Sequence, residues 1–217
     1  MEYNHQNEVT IPVGKIFLKG NLDIPKKSKG IIIFSHGSGS SRFSTRNRQV
    51  AGYLQERGFG TLLLDLLTPG EDKVYLNRFD IDLLTTRLCG ATEWMEEQKD
   101  AKNCSIGYFG ASTGAASALK AASKYHEIEA VVSRGGRPDL VMADLHKVAA
   151  PTLLIVGSLD KDVLKLNQEA YAELVCAKRL DIVKGASHLF EEPGMMEKVS
   201  TLAADWFAGH LFRMAVY

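Results

Sequence analysis

The chain has 217 residues, a length that suits one domain and would bury roughly 70% of the surface of the unfolded chain. Apolar residues make up 45% of the sequence and charged residues 24%, as in ordinary globular proteins. The 26 basic and 26 acidic side chains cancel to a net charge of zero, which argues against a general attraction to nucleic acid or to an anionic membrane.

The first predicted element is an antiparallel hairpin. Two extended segments, residues 8–13 and 15–25, are separated by Gly14. Six short apolar runs follow, and their apolar residues do not alternate with polar ones, a pattern typical of parallel strands covered on both faces. These runs are 31–35, 61–67, 106–110, 130–134, 152–157 and 179–185.

Stretches of helical period lie between the apolar runs. They span 80–98, with Asp80 as a candidate N-cap, 114–124, 161–176 and about 194–210. The repeated strand–helix order predicts an α/β fold with a mostly parallel central sheet, an N-terminal antiparallel hairpin and helices on both faces. Because no linker or change of composition interrupts the pattern, we expect a single domain over residues 1–217 without a lid domain. The apolar C-terminal tail, residues 211–217, is expected to pack on its own domain or on a partner chain.

The cysteines and the N-terminus bear on the cellular location. Cys89, Cys104 and Cys176 form no C-x-x-C pair, which is typical of reduced thiols rather than of a disulfide framework or a zinc site. The N-terminus lacks the apolar core of a signal peptide, and no stretch approaches the ~20 apolar residues of a membrane span. We therefore expect a soluble cytoplasmic protein, monomeric or homodimeric, with no metal, cofactor, nucleic-acid partner or membrane partner.

A G-x-S-x-G motif supplies the candidate nucleophile. The strand predicted over 106–110 runs into Gly110-Ala111-Ser112-Thr113-Gly114 and directly into an alanine-rich helix. The flanking glycines let strand and helix approach each other closely around a tight turn that exposes the serine hydroxyl. The motif string alone is modest evidence, but its position between a strand and a helix excludes most accidental matches. We interpret Ser112 as a nucleophile.

A serine hydroxyl needs a base, and candidates for the base and its acid follow later strands. Asp160 comes after the strand 152–157, and His188 after the strand 179–185, so both emerge at the carboxyl edge of the sheet. The order serine, acid, histidine is that of serine hydrolases with this sheet. Asp160 is also a candidate N-cap of the helix at 161–176, and Asp139 and Asp162 remain alternatives for the acid.

The loop after the strand 31–35 is expected to help form an oxyanion hole. In the sequence His36-Gly37-Ser38-Gly39-Ser40-Ser41, backbone N–H groups would face the reacting carbonyl. We expect the Thr113 N–H and the Ser38 N–H to be the donors, with Gly39 as the alternative to Ser38. His36 is expected to shape the loop. The other reading of this loop is a flexible glycine–serine turn.

Several segments together resemble a known family. The strings SHGSGSSR, GASTGAA, SRGGRPDL, PTLLIVGSLD and GASHLFEEPG are similar to the dienelactone-hydrolase-like branch of the α/β hydrolases, over about residues 30–208. The resemblance is greatest to small lidless members, some of which are fused to phosphoribosyltransferase domains. It implies the α/β-hydrolase fold and a hydrolase activity. True dienelactone hydrolases have a cysteine nucleophile, and the serine at 112 favours a general esterase over a dienelactone hydrolase.

Two arginine clusters could bind an acidic substrate. Arg42, Arg46 and Arg48 follow the oxyanion loop, and Arg134 and Arg137 follow the strand 130–134. Arginine binds carboxylates through two parallel hydrogen bonds, so Arg42, Arg134 and Arg137 are candidate substrate-binding residues. The alternative is that the arginines pair with nearby aspartates and hold loops in place, which we favour for Arg46 and Arg48.

The predicted function is that of a serine hydrolase of carboxylic esters. Ser112 would form an acyl-enzyme, with His188 as base and Asp160 as the acid that orients it. Without a lid, small or exposed acyl esters are the expected substrates, some of them carrying a carboxylate. The alternatives are a peptidase or acyltransferase on the same triad, a lactone hydrolase, and a binding protein with a vestigial triad. A nucleotide-binding site is disfavoured because neither a complete dinucleotide fingerprint nor a phosphate loop is present.

Overall fold

The structure, a computed structural model, describes residues 2–102 and 104–211, apart from the side chains of residues 4–6. Leu211, the first residue of the predicted C-terminal tail, is buried. The expectation that the rest of this tail packs on the domain or on a partner falls on residues 212–217, outside the described residues.

In the part of the chain that the structure describes, eight strands form one sheet in the order β1-β2-β4-β3-β5-β6-β7-β8. The pair β1–β2 is the predicted antiparallel hairpin, β2 joins β4 antiparallel, and the strands from β4 to β8 are parallel to one another. Their bounds are β1 Tyr3–Val13, β2 Ile16–Pro25, β3 Ile31–Ser35, β4 Gly60–Leu64, β5 Ile106–Ala111, β6 Ile128–Arg134, β7 Thr152–Gly157 and β8 Lys178–Val183. The predicted mostly parallel sheet with its N-terminal hairpin is confirmed.

Among the described residues, five α-helices lie between strands along the chain and a sixth follows β8. They are α1 Thr45–Glu56, α2 Pro69–Asp72, α3 Ile81–Glu96, α4 Thr113–Ala122, α5 Lys161–Glu173 and α6 Met195–His210. Three 3₁₀ helices, Tyr75–Phe79, Lys99–Ala101 and Pro138–Lys147, complete the regular structure of the described residues. Asp80 caps α3 as predicted, because its side chain accepts a hydrogen bond from the Leu83 N–H at 3.0 Å.

The helices divide into two layers because the strands are apolar on both faces. Apolar side chains of α1 and α6 pack on one face of the sheet, and those of α3, α4 and α5 pack on the other. Tyr108 and Phe109 are neighbours on β5, yet they belong to opposite cores, as the alternation of side chains along a strand requires. Helices therefore cover the apolar side chains on both faces of the sheet. Polar residues at the carboxyl ends of the parallel strands lie together along one edge.

Two predicted strands end earlier than expected. The run 61–67 leaves the sheet after Leu64, because the N–H of Leu66 turns towards the ring of His36 at 3.1 Å. The run 179–185 leaves the sheet after Val183, and Gly185 adopts a positive φ of 82° that begins the next loop. After β4 the apolar run continues because Leu66 and Leu67 are buried in the loop, whereas Lys184, which follows β8, is exposed.

Candidate active site

Ser112 lies on a strained turn between β5 and α4. Its backbone has φ 52° and ψ −123°, a region that costs a residue with a side chain about 1–3 kcal/mol. The two motif glycines explain how the turn closes: a Cβ on Gly110 would lie 2.4 Å from the Cα of Ala115, and one on Gly114 would lie 2.2 Å from the carbonyl oxygen of Ser35. The turn therefore requires glycine at both positions, and it presents Ser112 at the start of a helix.

His188 and Asp160 meet at the carboxyl edge of the sheet. His188 lies on the loop after β8, Asp160 follows β7, and the distance from Nδ1 of the ring to Oδ2 of the carboxylate is 2.5 Å. Asp160 occupies the N-cap position of α5, but its side chain makes no capping hydrogen bond. Its carboxylate is directed to the histidine instead. Because the carboxylate accepts a hydrogen bond from Nδ1, the neutral ring carries its proton on Nδ1. Nε2 is then unprotonated and can act as the base.

The two alternative acids are elsewhere. The carboxylate of Asp139 accepts two hydrogen bonds of 2.8 Å from the guanidinium of Arg137, and hydrogen bonding by Asp139 raises the pKa of that arginine. Asp162 lies in the first turn of α5, beyond the N-cap. Of the three candidate acids, the structure brings Asp160 to the histidine.

The end of β6 and the segment after it lie against both Ser112 and His188. These contacts were not predicted from the sequence. The Ser112 N–H donates to the carbonyl of Arg134 at 3.2 Å, and the Arg137 N–H donates to the carbonyl of Ser112 at 3.1 Å. Gly135 has a φ of 52°, and a Cβ there would lie 3.5 Å from Cε1 of His188. The doubled glycine in SRGGRPD was the available signal, since it marks a place where another group approaches the backbone closely.

The loop His36–Ser41 lies beside the serine: a Cβ on Gly37 would be 3.2 Å from the Cβ of Ser112. Thr113 is the first residue of α4, so its N–H has no partner within the helix. The Ser38 N–H donates to Oγ1 of Thr113 at 2.8 Å. A substrate oxygen that used Ser38 as a donor would therefore have to replace the threonine hydroxyl.

His36 fixes the shape of this loop. Its Nε2 accepts a hydrogen bond from the Leu66 N–H at 3.1 Å, so Nδ1 carries the proton and donates to the Gly37 carbonyl at 2.9 Å. Burial lowers the pKa of His36 from its ordinary value of 6.5. The neutral ring is therefore a structural link between the ends of β3 and β4, because both of its nitrogens are engaged.

The predicted substrate-binding arginines fall into two groups. Arg42 is held in ion pairs with Asp65 at 2.7 Å and Glu8 at 2.8 Å, and Arg137 is held by Asp139. These contacts match the alternative reading, in which arginines hold loops in place. Arg134 is buried, and its Nε–H has no acceptor among the described residues.

Two negative findings concern the part of the chain that the structure describes. No group of three or more histidine, cysteine, aspartate or glutamate side chains could hold a metal ion. None of the described helices is both long enough and apolar enough to cross a bilayer.

Comparison with known proteins places this geometry in a family. Residues 18–208 match the sequence profile of the dienelactone hydrolase family. The chain belongs to the dienelactone hydrolase family. A solved dienelactone hydrolase from Anabaena variabilis is 50% identical, with a TM-score of 0.94 over 97% of this chain and 100% of that one. The dienelactone-hydrolase-like resemblance of the motifs is confirmed, and the chain is an α/β hydrolase.

Other relatives differ in length or in sequence. A protein of Mycobacterium tuberculosis, provisionally named a phosphoribosyl transferase, is 53% identical over 205 residues, which are 94% of this chain and 46% of that protein. The chain thus spans less than half the length of this relative. Est1E from Butyrivibrio proteoclasticus is 16% identical, with a TM-score of 0.80 over 93% of this chain and 98% of its own. At that identity the likeness shows a shared fold.

Proposed function

We propose that this dienelactone hydrolase family member hydrolyses carboxylic esters through an acyl-enzyme on Ser112. The observation that carries the proposal is the 2.5 Å contact between His188 and Asp160, at the same sheet edge as a serine on a strained strand-to-helix turn. A positioned base and its carboxylate are what a serine hydroxyl needs to become nucleophilic near neutral pH.

The reaction has two steps. In the first, the hydroxyl oxygen of Ser112 attacks the ester carbonyl, Nε2 of His188 takes the hydroxyl proton, and the proton then passes to the departing alcohol. In the second, water attacks the acyl-enzyme with the same histidine as base, which releases the acid and the free serine. Asp160 stabilises the imidazolium that forms in each step without itself becoming protonated.

The backbone donors of the oxyanion hole are proposed to be the Thr113 N–H and the Ser38 N–H. Each such donor contributes about 3 kcal/mol to stabilisation of the transition state. In the structure the Ser38 N–H donates its hydrogen bond to the hydroxyl of Thr113. Rotation of the threonine side chain, or its displacement by the substrate oxygen, is part of the proposed binding step.

The relatives support a hydrolase activity. They say less about which bond is hydrolysed and which group accepts the acyl group. The Anabaena relative is a dienelactone hydrolase, and a lactone is a cyclic ester. The transferase name belongs to a protein of which this chain spans 46%, and the matched part contains the hydrolase-family residues. A peptidase or an acyltransferase would use the same triad, so only the acceptor and the leaving group separate these activities. We also propose a single domain and a cytoplasmic location, the latter because Cys89 and Cys176 are free thiols.

Covalent labelling tests the proposal. A fluorophosphonate probe should label the wild-type chain and not Ser112→Ala, and the same substitution should abolish hydrolysis of p-nitrophenyl acetate. Ser117→Ala, in α4 on the same stretch of chain, is the matched control and should keep both signals. Absence of labelling in the wild type would indicate a binding protein with a vestigial triad and contradict the proposal.

A further inference from the structure

Asn167 is a fully buried amide in the middle of α5. Its exposed fraction is 0%, and its Nδ2 group donates to two carbonyl oxygens, that of Val163 one turn earlier at 2.8 Å and that of Gly136 at 3.0 Å. Because both neighbours are acceptors, Nδ2 rather than Oδ1 must face them. Oδ1 is then buried without a hydrogen-bond partner among the described residues. A buried acceptor without a partner costs stability, so stability alone does not explain an amide at this position.

The carbonyl of Gly136 belongs to the segment 134–137, which lies against both the serine and the histidine. This segment accepts a hydrogen bond from the Ser112 N–H at 3.2 Å and donates one to the Ser112 carbonyl at 3.1 Å. A Cβ on Gly135 would lie 3.2 Å from the backbone oxygen of His188 and 3.6 Å from Nδ1 of its ring. A shift of this segment would therefore move the surface on which the imidazole rests.

The turn at Gly136 is closely packed. A Cβ there would lie 2.0 Å from Oγ of Ser133 and 2.7 Å from the Cβ of Ala115 in α4. Gly136 is itself buried, so its carbonyl needs a donor from the protein, and Asn167 supplies it. The turn is thus confined by β6 and α4, and the amide of Asn167 fixes its carbonyl to α5.

Asn167 also lies on the helix that carries the acid. Asp160 is the N-cap residue of α5, and Asn167 follows it by seven residues, or two turns, so the two residues share one face of the helix. Among the described residues, the bond to Gly136 is the only hydrogen bond between α5 and the segment 134–137. One side chain therefore fixes the separation between the helix that begins at the acid and the segment that supports the base.

We propose that Asn167 is a positioning residue for the triad, because its amide holds α5 against the segment 134–137 at the separation at which Asp160 meets His188. Its effect on hydrolysis rests on the proposed function. Asn167 touches none of the reacting atoms and acts through the 2.5 Å contact between acid and base. A displacement of about 1 Å in such an arrangement lowers the rate by as much as about 10²-fold.

The test compares Asn167→Leu with a matched control, Thr92→Val. Thr92 is also fully buried in a helix, α3. It also makes one hydrogen bond to a carbonyl one turn earlier, that of Leu88 at 3.0 Å, and one to another element, the Tyr108 hydroxyl at 2.6 Å. Neither of these bonds reaches the triad or the segment 134–137. Both substitutions replace a buried polar side chain by an apolar one of similar size and remove two hydrogen bonds.

The value of kcat/KM for p-nitrophenyl acetate should fall about tenfold or more in Asn167→Leu. It should stay within about twofold of the wild type in Thr92→Val. In the Asp160→Asn background, where the contact between acid and base is already lost, the leucine substitution should change kcat/KM by less than about twofold. All rates are measured below the unfolding temperature of each variant.

Three results would overturn the proposal. One is an unchanged kcat/KM in Asn167→Leu, and another is an equal loss in Thr92→Val. The third is a tenfold loss that persists in the Asp160→Asn background. The last two results would mean that buried hydrogen bonds affect activity by keeping the fold rigid in general, not by holding the acid against the base.

A second variant covers the case in which Asn167→Leu does not fold. In Asn167→Thr the hydroxyl can donate to the carbonyl of Val163, as threonine in a helix commonly does to the carbonyl one turn earlier. It is too short to reach Gly136, so this variant removes the link between α5 and the segment 134–137. It should show the same loss of kcat/KM, and wild-type activity in Asn167→Thr would contradict the proposal.

A measurement without turnover separates this proposal from the proposed function. The proton between Nδ1 of His188 and the Asp160 carboxylate should give a downfield resonance in the proton NMR spectrum that is absent from His188→Gln. The resonance should move upfield in Asn167→Leu, because the contact lengthens, and should not move in Thr92→Val. An unchanged resonance in Asn167→Leu would overturn the proposal. If Ser112 is not labelled at all, the proposed function fails, while this resonance still decides whether Asn167 positions the pair.

Discussion

Asp160 occupies a helix N-cap but directs its carboxylate to His188, so the loss of its charge should affect catalysis more than folding. In Asp160→Asn we expect kcat for p-nitrophenyl acetate to fall by about 10³–10⁴, because an amide no longer selects the Nδ1-protonated ring or stabilises the imidazolium. Thermal unfolding should change little. Asp162→Asn, two residues further on, is the control and should keep wild-type activity. Equal loss in both variants would contradict the assignment of Asp160.

His36 should make stability depend on pH. Its pKa is lowered by burial from 6.5, so the unfolded chain binds this proton more readily than the folded one. The contribution of the neutral ring is present above pH 6.5 and is lost as the pH falls from that value towards the lowered pKa of the folded state. The wild-type thermal midpoint should therefore fall more between about pH 7 and about pH 5 than that of His36→Gln. His126→Gln, which changes an exposed histidine, should keep the wild-type slope, and an identical slope in His36→Gln would contradict the prediction.

At the scale of elements, two glycines in helices have opposite roles. A Cβ on Gly114 of α4 would lie 2.2 Å from the carbonyl oxygen of Ser35, so this helix contacts the end of β3 directly. Gly52 of α1 has nothing within 4 Å of its would-be Cβ and gains no packing from being glycine.

Alanine substitution should separate these two glycines. Gly114→Ala should lower the free energy of unfolding by at least about 3 kcal/mol, because backbone on both sides must shift. Gly52→Ala should raise it by about 0.5–1 kcal/mol, since alanine loses less conformational entropy in a helix. Urea denaturation measures both changes. A Gly114→Ala protein as stable as the wild type would show that the helix can move away from β3.

The elements themselves were largely predictable. The apolar runs and helical periods predicted every strand and four of the helices, because both depend on local side-chain spacing. The 3₁₀ helix Pro138–Lys147 was missed, since it begins at a proline and its backbone departs from helical geometry at Val141, which divides it into two short pieces. The early end of β4 was missed because burial continues through Leu66 and Leu67 in the loop after it, whereas β8 ends at Val183 and is followed by the exposed Lys184.

At the scale of the whole molecule, the candidate site is an open edge of one sheet. Ser112 lies directly between β5 and α4, Asp160 lies in the short connection 158–160, and His188 lies in the longer loop 184–194. In the described chain, β6 is joined to β7 by a 3₁₀ helix rather than by an inserted domain. A long acyl chain would therefore leave most of its apolar surface in water and gain little of the ~0.8 kcal/mol that each buried CH₂ contributes.

The acyl-length preference follows from this openness. We expect kcat/KM for p-nitrophenyl acetate to exceed that for the palmitate ester, measured below the concentration at which palmitate esters aggregate. The butyrate ester, which is still soluble, controls for aggregation and should lie between them or near acetate. A preference for palmitate would mean that a surface outside the sheet edge covers the chain.

The sequence by itself determined the residue types of the site, the order of the strands and helices, and the strand-to-helix turn at Ser112, because each depends on neighbours along the chain. Only the tertiary structure decided which acid meets His188, since the contact joins residues 28 positions apart. It also decided that Ser38 donates to Thr113, 75 positions away, and that Arg134 alone of the three candidate arginines lacks a carboxylate partner among the described residues. Which charges and hydrogen-bond donors pair depends on which loops the sheet brings together. The spacing of residues along the chain does not predict these pairs.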